Sequence, residues 1–181
     1  MAKVTIIREA TANDAAAIAA IHVKTWRAAY AGIMPAAFLE GLSEETYLAF
    51  WEKELAANVS VNRVALEGRQ IVGWASGGPN RDADCAEHSE IYAIYVSPDT
   101  WSRGIGRLLM RRMENDLSAM RWPLLWVLEQ NLRALRFYHK QGYQADGTAR
   151  SLPIGGVELK EIRLRKMGWT PAENSAKLKM L

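Results

Sequence analysis

The sequence predicts one α/β (α+β) domain built on a mixed, largely antiparallel sheet of about seven strands with helices flanking it. Three observations carry that expectation. Period-two and helical apolar patterns interleave along the chain instead of forming separate blocks. Two strand pairs meet at tight turns, Glu67-Gly68-Arg69 and Gly155-Gly156, and therefore pair as antiparallel hairpins. Helical stretches lie between other strands and supply the crossovers that make the sheet mixed.

Taken in order, Val4 to Glu9 reads as a first strand. Thr11 then stands as an N-cap with Asp14 in the first turn. Ile18, Ile21, His22, Thr25, Trp26 and Ala29 recur at helical spacing, and that helix is expected to end near Gly32. A second helical stretch covers Pro35 to Ala57, broken near Gly41, with Ser43 capping its later half. Val61 to Leu66 and Gln70 to Ser76 read as strands. Gly77 to His88 is expected to be a polar loop, and Ser89 to Val96 a strand rich in Ile, Tyr and Val. After Pro98 a glycine segment opens a helix whose predicted apolar face is Ile105, Leu108, Leu109, Met113, Leu117 and Met120. Leu124 to Leu128 is wholly apolar, as suits a strand covered on both faces. Asn131 to Gln141 is helical and closes at Gly142. Tyr143 to Leu152 and Val157 to Arg165 complete the sheet. Residues 1–167 are thus expected to form one domain, and residues 168–181 a polar, loosely ordered tail.

Composition narrows the function class. The 181 residues carry 23 Lys and Arg against 20 Asp and Glu, a net charge of +3 with no long basic block, which argues against nucleic-acid binding. The lone cysteine, Cys85, excludes a disulfide framework and a cysteine-rich zinc site and suits a reducing cytosol. The start lacks the apolar core of a secretory signal, and runs such as Trp122 to Leu128 are too short to span a bilayer. The expectation is a cytoplasmic protein that binds no metal, nucleic acid or membrane; a homodimer is left open.

The segment Ser97 to Met113, SPDTWSRGIGRLLMRRM, is the first with chemical content. A helix N-terminus offers unpaired N–H groups and the positive end of a dipole, and glycines let backbone close on a phosphate. Gly104 and Gly106, with Arg103 and Arg107 beside them, suit that use, and equally suit a plain strand-to-helix turn. The P-loop is excluded because no Gly-Lys-Ser/Thr follows, and the dinucleotide fingerprint because position 109 is Leu109. The second segment is Trp126 to Tyr143, WVLEQNLRALRFYHKQGY, which sets Asn131, Ala134, Phe137, Tyr138 and Gly142 around a short helix after a strand.

The ordered pair resembles the cofactor motifs of the GNAT superfamily of acetyl-CoA-dependent N-acetyltransferases. That family carries Gln/Arg-x-x-Gly-x-Gly/Ala at a helix start, and Gly104 and Gly106 match its glycines. Asn131, Ala134, Phe137, Tyr138, Gly142 and Tyr143 match its Asn-x-x-Ala-x-x-Phe-Tyr-x-x-x-Gly-Phe/Tyr segment. The likeness runs over nearly the whole chain apart from the tail. It implies the GNAT fold, with acetyl-CoA as cosubstrate lying where the strands ending at Val96 and Leu128 splay apart. Backbone groups of Ile94, Tyr95 and Val96 would pair with the pantetheine arm, and backbone N–H groups from Ser102 through Ile105 to Arg107 would hold the pyrophosphate. A backbone N–H beside the thioester would polarise its carbonyl. Asn131 would hydrogen-bond the pantetheine, and Tyr138 would donate a proton to the departing thiolate. The base is open, with Glu90 and Tyr92 as candidates. One position departs from the pattern: Trp101 stands where the family has Gln or Arg, so its single indole N–H is the donor there, with Arg103 supplying charge.

Each assignment has a plainer alternative. Tyr138 can pack on Phe137, and Asn131 can be only an N-cap. Glu129 reads as a solvated or supporting carboxylate, His22 and Trp26 as helix core, Cys85 as an incidental thiol, and Asp82, Asp84 and Glu87 as a solvated loop. Of the seven tryptophans only Trp101 has an argued role toward a ligand. The function implied is acetyl transfer to a primary amine by direct attack in a ternary complex. The acceptor implied is a small amine such as an amino acid or polyamine. A protein N-terminal or lysine acetyltransferase, and an acetyl-CoA sensor without turnover, stay open.

Overall fold

A computed structural model describes residues 4–118 and 121–166. In chain order the elements are β1 (Thr5–Glu9), α1 (Ala15–Ala29), α2 (Ala36–Glu40), α3 (Glu44–Ala57), β2 (Val61–Glu67), β3 (Gln70–Pro79), β4 (His88–Val96), α4 (Ile105–Asp116), β5 (Arg121–Leu128), α5 (Leu132–Lys140), β6 (Tyr143–Ile154) and β7 (Val157–Lys166). The strands form a seven-stranded sheet in the order β1-β2-β3-β4-β5-β7-β6. Its neighbours pair antiparallel except β4 and β5, which run parallel and are joined through α4. The expected mixed sheet with helices on its faces is therefore the architecture observed. The tail, 168–181, and Met120 lie outside the described residues.

Local sequence explains most element ends. Ser43 caps α3, its hydroxyl oxygen accepting from the Thr46 N–H at 3.3 Å, as expected from its position before an acidic first turn. Asp14 accepts from the Thr11 N–H at 2.7 Å and takes both guanidinium nitrogens of Arg8 at 2.7 and 2.8 Å. These bonds, Arg8 foremost, hold its carboxyl near about 2. Helix α1 stops at Ala29 rather than near Gly32, which turns with φ +76°.

Two expectations fail for reasons of packing. Gly77 and Gly78 belong to β3 and not to the following loop. At Gly77 a β-carbon would stand 2.7 Å from the Glu90 carbonyl oxygen and 2.9 Å from Leu117 and Met113 side-chain carbons, so the glycine lets β4 and α4 close on the strand. On α4, Leu108 is exposed while Met110 is fully buried, so the inward face is Ile105, Leu109, Met110 and Met113. Those side chains pack on Ala65, Val72, Ala75 and Ile91 of the sheet. Truncating one of them to alanine costs about 2–5 kcal/mol.

The opposite face is covered by α1 and α3, where Ile18, Ile21 and Trp51 meet Val64 and Trp74. A third cluster joins Val23, Met34, Leu39 and Leu42 to Leu128 and Leu159, which ties α1 and α2 to the far half of the sheet. The sheet is thus gripped on both sides of the β4–β5 junction.

Candidate active site

Strands β4 and β5 pair only near their starts, at His88 with Arg121 and Glu90 with Leu124. Beyond that they diverge, and a cleft of about 1390 Å³ opens between Tyr92–Val96 and Trp126–Leu128. A parallel pair that parts toward its C-terminal ends is a common place for a ligand in α/β sheets. Both sequence motifs empty into it.

The glycine turn forms the floor of one half. Gly104 is the N-cap of α4 with φ +85° and no side-chain cap, and Ser102 is also left-handed at φ +65°. Gly104 is therefore required for its backbone, since a β-carbon there meets nothing within 4 Å yet strains the dihedral. Gly106 is helical, and a side chain on it would grow toward Phe137, 3.4 Å from its β-carbon position. The first bond of α4 runs from the Leu108 N–H to the Gly104 carbonyl, so the N–H groups of Ile105, Gly106 and Arg107 have no helical acceptor. Arg103, Arg107, Arg111, Arg133, Arg136 and Lys140 line the same half and make it strongly positive.

Asn131 caps α5, its side-chain oxygen accepting from the Ala134 N–H at 3.0 Å, and also lines the cleft. Tyr138 stands two turns further along α5 with its ring 5.1 Å from that of Phe137, and it too lines the cleft. Burial pushes its hydroxyl well above the usual tyrosine range, so it stays protonated at any working pH. For both residues the plain structural role and a place in the cleft wall coexist.

Trp101 differs from the sequence expectation. Its indole N–H donates to the Val96 carbonyl at 2.7 Å and is thus already engaged within the protein. Its ring instead supports the guanidinium of Arg133, 3.3 Å above the centroid. Arg103 is also redirected, donating to the Asp99 carbonyl at 3.2 Å with Glu67 at 3.6 Å. Arg133, two residues into the second motif, is the cation that Trp101 holds at the cleft; desolvation is the first cause lowering its pKa.

The open edge of β4 can be resolved by its ladder. The Ser97 N–H bonds to the Val72 carbonyl, so alternation puts the backbone groups of Ser97 and Tyr95 on β3 and those of Ile94 and Val96 on the cleft side. The Val96 carbonyl already accepts from Trp101 and from Thr25 Oγ1 at 3.3 Å. Of the three expected residues, Ile94 and Val96 offer backbone to the cleft, and Tyr95 offers a side chain.

Glu90 is not placed to act as a base. Its side chain is 1% exposed, is not among the described lining residues, and gives both oxygens to Arg81 at 2.5 and 3.0 Å. A strand pattern shows which face a carboxylate takes but not the arginine that a loop returns to it. Tyr92 lines the cleft, with its hydroxyl donating to the Pro79 carbonyl at 2.7 Å. Asp82 is not solvated, its side chain being 15% exposed, whereas Asp84 is 60% exposed as expected; Arg163, 5% exposed, binds both, together with Asp146.

The second half of the cleft was largely missed by sequence reasoning. It is lined by Trp26, Tyr30, Met34, Trp126, Ile154 and Glu161, so Trp101 is not alone among tryptophans in facing it. The Tyr30 and Tyr95 hydroxyls lie 3.1 Å apart, and burial raises the pKa of each. Behind them His22 is core, as expected: its ring centroid lies 4.0 Å from that of Tyr47 with the planes tilted by 40°, and Trp51 Nε1 donates to its Nδ1 at 3.3 Å. Burial lowers its pKa to about 4, so it is neutral. Among the described residues no cluster of His, Cys, Asp and Glu could hold a metal ion, and no helix is long and apolar enough to cross a membrane.

Comparison with known proteins adds a family to this geometry. The profile of the acetyltransferase (GNAT) family matches residues 16–143, a span that contains both motifs. The uncharacterised N-acetyltransferase YuaI of Bacillus subtilis is 32% identical over 169 residues, covering 90% of this chain and 91% of its own. A probable N-acetyltransferase of Mycobacterium tuberculosis is 30% identical over 167 residues, covering 88% and 91%. Among solved structures, PaiA N-acetyltransferase from Thermoplasma acidophilum in complex with coenzyme A superposes with TM-score 0.67 at 20% identity, covering 87% of this chain and 98% of that one. The acetyltransferase YncA from Salmonella typhimurium with acetyl-CoA gives 0.66 at 22%, covering 88% and 91%.

Proposed function

Because the chain belongs to the acetyltransferase (GNAT) family, a class of acetyl-CoA-dependent N-acetyltransferases, we propose that it moves the acetyl group of acetyl-CoA onto a small primary amine by direct attack in a ternary complex. The observation that carries this is one cleft which gathers the uncapped glycine turn at α4 and the Asn131–Tyr138 helix on either side of the β4–β5 splay.

The N–H groups from Ser102 to Arg107 receive the pyrophosphate, with Arg133 above the Trp101 ring as the side-chain cation. The backbone groups of Ile94 and the Val96 N–H offer the pantetheine arm a strand edge, the Val96 carbonyl being taken by Trp101 and Thr25. Acetyl-CoA supplies a thioester carbonyl carbon, which the amine nitrogen attacks as the C–S bond breaks. Tyr138 donates a hydrogen bond to the sulfur, whose thiolate has a pKa of about 8.5 if it resembles cysteine. With its own pKa above the tyrosine range, Tyr138 stabilises the leaving group without surrendering its proton for good. The ammonium nitrogen loses two of its three protons, one to solvent before the attack and one that ends on the released thiol, and the amide keeps the third.

The test is direct. Acetyl-CoA raises Tm by mass action, and thiol release appears across a panel of primary amines. Absence of the Tm shift removes the cofactor reading. A shift without thiol release makes the domain a binder.

A further inference from the structure

Glu161 is the only carboxylate among the described residues that line the cleft. It lies in β7, in register with Leu128 at the end of β5 and with Arg150 of β6. Strand alternation puts it on the same face as Leu159, which packs on Met34 and Leu128, and Arg163, which is neutralised by Asp82, Asp84 and Asp146. Its side chain is 13% exposed. Arg150 reaches it through Nε and Nη2 at 2.8 Å, and both contacts fall on Oε2, so Oε1 has no hydrogen-bond partner among the described residues. Arg150 is itself occupied, lying 4.0 Å over the Trp126 ring and 3.7 Å from Asp82.

Apart from Arg150, the surroundings of that oxygen are apolar and aromatic: Tyr30, Met34, Trp126, Leu152 and Ile154 line this end, whereas the lining arginines and lysine belong to the α4 and α5 side. Tyr30 connects the two ends. Tyr30 and Tyr138 both line the cleft, and the Tyr30 hydroxyl lies 3.1 Å from that of Tyr95. A nitrogen held by Glu161 therefore shares one cleft with Tyr30 and with Tyr138, the tyrosine proposed to face the thioester sulfur.

We infer that Glu161, Tyr30, Met34 and Trp126 form the acceptor subsite, and that it takes a monocationic primary amine on an apolar or aromatic body without a carboxylate of its own. The single lining carboxylate holds one ammonium, the apolar wall holds the body, and the nearest cation, Arg150, is already engaged by Glu161, Trp126 and Asp82 and so is not available to receive an acid. The inference rests on the acetyl-transfer reading above.

Phenethylamine is the probe, with phenylalanine and spermidine as comparators that add a carboxylate or further charges. The wild type binds phenethylamine calorimetrically in the presence of coenzyme A and turns it over with the highest kcat/KM of the three. Glu161→Gln raises the phenethylamine KM by about tenfold to a hundredfold, the worth of a charge-assisted hydrogen bond, and leaves the acetyl-CoA KM unchanged. Arg150→Gln does not raise the phenethylamine KM, whereas a merely structural cross-strand pair would make the two variants equivalent in stability and silent in kinetics. Preference for phenylalanine or spermidine, no binding heat with phenethylamine, or an unchanged KM in Glu161→Gln overturns the subsite while acetyl transfer stands. Loss of the acetyl-CoA Tm shift in the wild type would instead overturn the reading beneath it, and the subsite with it.

Discussion

The two halves of the cleft are built by opposite strategies. The half around Gly104 is backbone from one turn and one helix start, ringed by arginines close in sequence. The half around Glu161 is made of side chains from α1, β5, β6 and β7, whose members lie more than a hundred residues apart. A cosubstrate common to a whole family needs only dipoles and left-handed backbone, which short motifs specify. An acceptor peculiar to one protein needs tertiary assembly, which no motif records.

The largest expected effect lies at the border between the halves. Tyr138→Phe lowers kcat by about a hundredfold or more with the acetyl-CoA KM unchanged, measured by thiol release. Because burial raises the Tyr138 pKa, kcat/KM climbs with pH through neutrality as the neutral amine accumulates, and no alkaline loss from this hydroxyl intervenes below about 10. Loss of activity near pH 8 would break the assignment.

Next comes the aromatic core behind the acceptor wall. His22 protonates near pH 4 when folded and at 6.5 ordinarily. The unfolded chain thus binds the proton first, and the stability His22 contributes is complete above 6.5 and drains as pH falls toward 4. The loss is on the order of 3 kcal/mol. Denaturant unfolding of His22→Gln against wild type across that range isolates it, because Asp14 titrates in a lower window, between 3.8 and about 2. A wild-type stability flat from pH 6.5 to 4 would contradict the burial argument.

The cofactor half is probed by Trp101. Trp101→Gln, with a side chain matching the family pattern, weakens acetyl-CoA binding by up to about tenfold, since Arg133 loses its aromatic support. Trp101→Phe keeps most of the affinity. From sequence alone the glutamine looks neutral or beneficial, so calorimetry on this pair decides between the motif and the observed stacking. Smallest of all is Glu90→Gln, outside both halves: kcat stays within about twofold, while Tm drops modestly as the Arg81 pair is cut.

Legibility followed distance along the chain. Ser43, Gly104 and Asn131 were readable because a cap or a left-handed turn is satisfied within four residues. Leu108 and Met110 were confused because three consecutive apolar residues leave the inward face ambiguous by one step of the helix. Gly77-Gly78 carried a turn signal that packing against α4 overrode. The partners of Glu90, Asp82 and Glu161 come from loops and strands whose register only the folded sheet fixes.

Asn131 divides one amide between two duties. Its oxygen is spent on the Ala134 N–H to start α5, while its nitrogen keeps two hydrogens for the cleft. Aspartate would begin the helix equally well yet present a second acceptor where a donor is wanted. Substituting Asp for Asn131 should therefore separate architecture from affinity, leaving Tm nearly unchanged while acetyl-CoA binding falls. On the proposed reading, the helix would accept either side chain at this position, and the amide serves the ligand.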